Sequence, residues 1–422
     1  LNIFPGRRLA CSLLLLPLAA CADGGKEDKP ASVVKFAADH HLFGYRTLAG
    51  FGTLPIRTNV AFPDRGKLVF AADGTYSVER LTGTATNYYS ISRPGALTLY
   101  VAGGGRDPWT VFQGGYGPLP EWHDPPTPLG PVPAETVTTF TDRVVSDGSP
   151  SIGMYFGLRY ATPPATIELE GNWHFGSIHT IFGQSLLAPE NVGRAAWAEN
   201  VQVAAGAAGA SRGISGTGQQ GNGTTLTLTG SVQNVASGTP LVSNGACNLT
   251  LTYDGDSRVC RAAANTRVLL AVDEDTGDGE AGLVAAVRRF PATSTETEAK
   301  EADLLGKYKV SGYTIFVNPS DPGSDAFTGL VEFSSSGGFR LDAVDHLGRA
   351  FSYTGTFVLR TNGAMTLTIA GTNETWHGAV STNYQTLMLV DDFRETRTPP
   401  KPELNFVLGT RETVVPSTVA AR

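Results

Sequence analysis

Apolar residues fall on every second position through much of this chain, and the pattern is cleanest over 304–411. Phe351, Tyr353, Phe357 and Leu359 share one side of a strand, while Ser352, Thr354, Thr356 and Arg360 take the other, the period-two signature of a strand with one buried face. The same alternation marks Val331 and Phe333, then Phe339, Leu341 and Ala343, then Met365, Leu367 and Ile369. Turn-forming runs separate these segments: Ser336-Gly337-Gly338, Leu347-Gly348, Thr361-Asn362-Gly363 and Gly371-Thr372-Asn373,. Further strands over 307–317, 375–380, 384–390 and 404–411 bring the total to about eight. Short connections between that many strands predict an antiparallel up-and-down meander able to close on itself as a barrel.

Two earlier stretches repeat the plan. Residues 68–78 overlie 331–341, with Phe70 on Phe333, Gly74 on Gly337, and Tyr76 and Val78 on Phe339 and Leu341. Residues 89–99 overlie 357–367, with Gly95-Ala96 on Gly363-Ala364. The spacing between the two blocks differs by about five residues, as a change in one surface hairpin would produce. The middle of the chain echoes the pattern more weakly, in Gly245-Ala246-Cys247-Asn248-Leu249-Thr250-Leu251 and in alternating runs over 224–233 and 266–273. An all-β chain of three tandem antiparallel barrels is therefore expected, over 42–164, 165–295 and 296–416. Residues 116–137, dense in proline (Pro118, Pro120, Pro125, Pro126), read as a stiff extended loop on the first unit. The small-residue stretches 204–209 and 213–223 read as loops, and 293–303 as a polar link with a short helix.

Composition agrees with this picture and narrows it. A chain of 422 residues has room for about three domains,. Gly 50, Pro 26, 41% hydrophobic and only 17% charged residues describe a turn-rich β protein,. A net charge of −7 provides no basic footprint, so nucleic acid is excluded as an expected partner.

Arg7-Arg8 precede the apolar run Leu13-Leu14-Leu15-Leu16, which is too short to span a bilayer and has the layout of a secretory signal. Leu18-Ala19-Ala20-Cys21 then resembles the lipobox of bacterial lipoproteins. The resemblance implies that 1–20 is a signal peptide, that Cys21 carries lipid, and that the polar stretch 21–41 is a flexible tether to the membrane. Ala22 rather than Asp follows the cysteine, which by the same resemblance favours the outer membrane of the cell envelope.

Of the four cysteines, Cys11 leaves with the signal and Cys21 is lipidated. Cys247 and Cys260 remain, flanking the turn Asp254-Gly255-Asp256. A turn centred there puts them on one face but not directly opposite, so a disulfide needs a bulge or wider loop; two small buried thiols are the other reading.

The ends of the units carry a further pattern. Gly171-Asn172-Trp173 opens the second and Gly306-Lys307-Tyr308 the third, and each unit closes on an arginine: Arg159, Arg288 and Arg411. This resembles the lipocalin or calycin plan, in which a Gly-x-Trp opens an eight-stranded barrel and a late arginine packs on the ring. The resemblance implies two barrel-closing pairs, Trp173 with Arg288 and Tyr308 with Arg411. The first unit departs from it, because Gly44-Tyr45-Arg46 leaves Arg159 without a matching aromatic.

Chemistry-bearing candidates do not assemble into a catalytic set. His174 and His179 stand too far apart along a strand to share a metal readily. His123 falls in the proline loop. The acids of 273–280 miss calcium-loop spacing, and 216–221 matches a dinucleotide pattern without the strand and helix that would give it meaning. Ser215 lacks the second glycine of a nucleophile elbow. No catalytic residue, metal or cofactor is therefore expected. Two functions fit: binding of a small apolar ligand or lipid inside a barrel, for which the Ala/Val/Thr-rich second unit is the better candidate; or a structural scaffold with side-chain-filled barrels that meets an envelope protein partner.

Overall fold

A computed structural model describes strand segments between 38 and 159, then 168–181, 193–234, 246–251, 257–262, 267–273, 280–290, 298–316, 323–345, 348–391 and 403–412, less 208, 222 and 373. The expected signal, Cys21, the proline-rich loop with His123, and 274–279 lie outside the described residues. Within them the protein is all-β, apart from one helical turn at Glu301–Leu304.

The first sheet contains β1 (Ala38–Ala49), β2 (Arg57–Phe62), β3 (Gly66–Phe70), β4 (Thr75–Arg80), β5 (Gly83–Ser92), β6 (Ala96–Ala102), β7 (Trp109–Tyr116), β8 (Val137–Arg143) and β9 (Ser151–Arg159). Its order is β2-β1-β3-β4-β5-β6-β7-β8-β9, and β1 pairs as well with β9, from His40↔Arg159 to Leu48↔Ser151. Strand β1 begins at Ala38, inside the stretch that the sequence assigns to the tether.

The second unit is a closed eight-stranded barrel in sequence order: β10 (Gly171–Ile181), β11 (Gly193–Val203), β12 (Arg212–Gln220), β13 (Thr225–Asn234), β14 (Ala246–Leu251), β15 (Ser257–Ala262), β16 (Val268–Asp273) and β17 (Glu280–Arg288). A second closed barrel follows: β18 (Gly306–Phe316), β19 (Gly323–Phe333), β20 (Gly338–Asp345), β21 (Ala350–Leu359), β22 (Ala364–Ile369), β23 (Thr375–Val380), β24 (Thr386–Asp391) and β25 (Glu403–Arg411). Two separate rings exclude one large barrel built from all the strands. The aligned blocks also share pairing register: Phe70 faces Tyr76 as Phe333 faces Phe339, and Tyr89 faces Leu99 as Phe357 faces Leu367.

One expectation is corrected here. The glycine-rich run 213–223 is not a loop, since 212–220 is strand β12, paired on both sides with β11 and β13. Glycine was read as a breaker, but it occupies the inner positions 216 and 218, where a Cβ would lie 2.8 Å from the Asn200 carbonyl oxygen and 2.2 Å from that of Trp197. Strand β11 approaches too closely for any side chain there.

Alternation holds where one face meets solvent. On β20, Phe339, Leu341 and Ala343 are buried while Arg340 and Asp342 are exposed. On one side of the third unit it fails, because β24 and β25 are buried almost residue by residue. Their inward residues Leu387, Leu389 and Val407 join the barrel's own core. Their outward residues Met388, Val390, Leu404, Phe406 and Leu408 join a different cluster, with Ile178, Trp197, Leu283 and Val287 of the second unit and Met154, Phe156 and Leu158 of β9. Three walls thus share one dry core outside the barrels, and strands buried on both faces read as continuous apolar runs. At Gly176, a Cβ would meet Val390 Cγ2 at 2.7 Å and Met388 Sδ at 3.0 Å, so only glycine allows the second and third walls to approach this closely.

Because Phe406 faces the shared core rather than a barrel interior, Phe406→Ala is expected to destabilise the chain by about 3–5 kcal/mol, as deletion of a fully buried ring does. Urea unfolding checks this, and a near-neutral result would mean that the walls are solvated.

Candidate functional site

The residues that close the two barrels act together. Trp173 pairs in register with Arg288 and Tyr308 with Arg411, joining first strand to last. The Arg288 guanidinium lies 4.8 Å from the centre of the Trp173 ring, and that of Arg411 5.9 Å from Tyr308. Each arginine also donates to two backbone carbonyls of the segment entering the barrel: Arg288 to Glu168 and Glu170 at 2.6 and 2.8 Å, Arg411 to Asp303 and Leu305, both at 2.7 Å. Gly171 and Gly306 sit at φ 118° and 128°, so the chain can turn under the guanidinium. Such a ring contact contributes about 0.5–2 kcal/mol, and hydrogen bonds from a charged donor add about 1.5–3 kcal/mol each. In the first unit the residue opposite Arg159 is His40, four positions before Gly44 where the sequence places the opening.

Cys247 is fully buried and disulfide-bonded. The register sets Cys260 directly opposite it, contrary to the offset expected from a turn centred on Gly255. Thr250↔Ser257 shows that the ladder is centred earlier than Gly255, midway between 253 and 254, because the hairpin's connection fixes its register.

Among the described residues, the barrel interiors hold little free space. In the second, a space lined by Phe175, Ala198, Leu228 and Val284 amounts to about 10 Å³, roughly the limit for one water. A second gap beside Trp173, Ile214 and Leu249 has no room for one. In the third, Phe333 packs edge-to-face on Tyr308 and Phe357, and Tyr353 on Trp376, with ring centres 5.0 to 6.1 Å apart.

A larger recess lies outside the closed barrels, where the second unit meets the third. It begins with a bulge. Trp197 pairs with Gln219 and Asn200 with Thr217, so β11 spends one more residue than β12 over the same span. Ala198 and Val201 point into the barrel core, which leaves both Glu199 and Asn200 on the outer side, since a bulge re-aims side chains. The neighbouring outward residues of β12 and β13 are Thr217, Gln219 and Thr225. From the third barrel come Arg360, in an ion pair with Glu199, and His377, stacked on Trp197 at 4.1 Å and 7°. Together they line an open recess of about 430 Å³.

One side of this recess is held by a latch. The turn 360–363 of the third barrel accepts from the Phe290 and Ala299 amides at 3.1 and 2.8 Å, and the Asn362 carbonyl also accepts from His174 Nε2 at 2.9 Å. Burial lowers the His174 pKa from 6.5 to about 4; the Asn362 carbonyl opposes the shift, and the positive charge of Arg289 adds to it. The imidazole is therefore neutral and donates.

His179, by contrast, is buried beside Gly282 at the far end of β10, so the two histidines do not meet. Among the described residues no group of three His, Cys, Asp or Glu is placed to hold a metal, and no helix is long and apolar enough to cross a membrane. Sequence reasoning missed the recess. Its signal was a polar outer row, Ser215, Thr217 and Gln219, hidden by the glycines between.

No family model matches the chain, and no curated protein matches it. Among solved structures, it is similar to a protein of unknown function of the DUF3598 family from Nostoc punctiforme, at 14% identity and a TM-score of 0.19 over 57% of this chain and 96% of that one. It is also similar to intact Ap-TbpB, with its N and C lobes, at 10% identity and a TM-score of 0.27 over 89% of this chain and 78% of that one.

Three outcomes are expected from this geometry. Gly171→Ala places a Cβ at a left-handed φ and 2.8 Å from Arg288 Nη1, so it should cost more than about 1 kcal/mol; Arg288→Met should cost about 3 kcal/mol or more through the lost carbonyl contacts, both read from urea midpoints. Because the folded-state pKa of His174 is depressed, protonation favours the unfolded chain. Its contribution is complete above pH 6.5 and is lost as the pH falls towards 4; His174→Gln should flatten thermal stability against pH across that window.

Proposed function

We propose that this is a lipid-anchored, non-catalytic protein of the bacterial cell envelope, held to the outer membrane through Cys21. It comprises three calycin-like barrels locked into one body, and it works as a scaffold whose outer surface meets an envelope partner. The observation that carries this reading is how little space the described residues leave inside the closed barrels. A space of about 10 Å³ cannot take an apolar ligand, since small-molecule sites run to about 300–1,000 Å³. The first sheet supports the count of three through its own first-to-last pairing, His40↔Arg159. Of the two functions expected from the sequence, the filled-barrel scaffold is therefore favoured over carriage of a small apolar ligand or lipid.

Native mass spectrometry of the protein extracted from its membrane tests the reading. The expected spectrum is the lipidated chain alone, and Cys21→Ser should move the protein from the membrane fraction to the soluble one. A stoichiometric lipid or small apolar molecule that leaves only on denaturation would overturn the scaffold reading in favour of an interior ligand.

A further inference from the structure

A recess lined by residues of both units opens between the second and the third. We propose that it binds a neutral polyhydroxylated ligand, one or two sugar rings in size. This inference does not depend on the lipid anchor or on what fills the barrels.

Capacity comes first. About 430 Å³ lies within the range of small-ligand sites, which favour junctions between domains. The lining chemistry then selects the ligand. Asn200, Thr217, Gln219 and Thr225 all border the space, and none of these side chains has a hydrogen bond within the protein among the described residues. Two amides and two hydroxyls supply donors and acceptors in one place without charge. A hydroxyl group is itself both donor and acceptor, so a ligand bearing several of them can satisfy such a lining.

Competing classes fit less well. An anion would need surplus positive charge, but the guanidinium at the edge, Arg360, is already paired with Glu199. A cation meets the same pair from the other side. An apolar ligand would leave those amides and hydroxyls unpaired on burial, at about 1–3 kcal/mol each. Trp197 is 6% exposed and held flat against His377, so the aromatic contribution is a fixed wall rather than a hydrophobic patch. The bulge is what makes the site possible: without its extra residue, Glu199 and Asn200 could not both face outward, and Gly218 is required because a Cβ would lie 2.2 Å from the Trp197 carbonyl oxygen.

The test uses the full chain freed from its anchor by Cys21→Ser, titrated by isothermal calorimetry and saturation-transfer NMR. The probes are glucose, N-acetylglucosamine and maltose, with inorganic phosphate and decanoate as charged and apolar controls. Saturable binding of at least one sugar in the millimolar range or tighter is expected. The double substitution Asn200→Ala with Gln219→Ala removes two exposed amides and should weaken that binding about tenfold or more without moving the melting temperature. Thr225→Trp, which fills the mouth instead, should do the same. The proposal is overturned if no sugar binds, if sugars bind both variants as well as the parent, or if only phosphate or decanoate binding responds to the substitutions. None of these results bears on whether a lipid occupies a barrel interior.

Discussion

The architecture depends on apolar side chains on the outside of barrels. An isolated barrel needs apolar residues on its inner face alone, with polar ones outward. Here β17, β24 and β25 are buried on both faces, and their outer residues meet in a cluster fed by all three units. Each fully buried aliphatic or aromatic side chain contributes about 1.5–3 kcal/mol relative to exposure, so no unit could leave this contact without wetting a substantial wall. The walls also place the polar recess, because the seam between second and third barrels opens where the apolar contact ends at Trp197 and His377.

Within each closed barrel, a smaller device joins the chain's two ends. Residues 168, 170 and 171 stand to Trp173 and Arg288 as 303, 305 and 306 stand to Tyr308 and Arg411. The ring shields the guanidinium, the guanidinium gathers two carbonyls, and a glycine at positive φ leaves the space for it. Tryptophan and tyrosine are interchangeable here because each presents a π face to the cation. Their polar ends differ in partner: the Trp173 indole donates to Leu169 and the Tyr308 hydroxyl to Tyr384.

Much of the fold was legible in particular residues. The alternation in 351–359 marked β21, and the turns Ser336-Gly337-Gly338 and Thr361-Asn362-Gly363 fell where Gly337 and Gly363 adopt φ of 73° and 88°. The recess was not legible, because Thr217 and Gln219 owe their role to a bulge on another strand. Gly216 and Gly218 look like breakers until the closeness of β11 explains them. The Cys247 to Cys260 register was missed because the ladder is centred between 253 and 254 rather than on Gly255, and such a shift changes which residues oppose one another.

The amino-acid order by itself determined many of the strands and turns, though not β12, since these follow from a period of two and from the conformations that glycine and asparagine tolerate locally; the residues that tie first strand to last came from the resemblance to the lipocalin plan. It also marked 384–390 and 404–411 as strands, without saying what would cover their second face. Tertiary structure decided that cover, how little space the described residues leave inside the closed barrels, and the position of the polar recess. Each of these depends on the distance between residues far apart in the chain, such as Gly176 and Val390 or Glu199 and Arg360, and local periodicity carries no information about that distance.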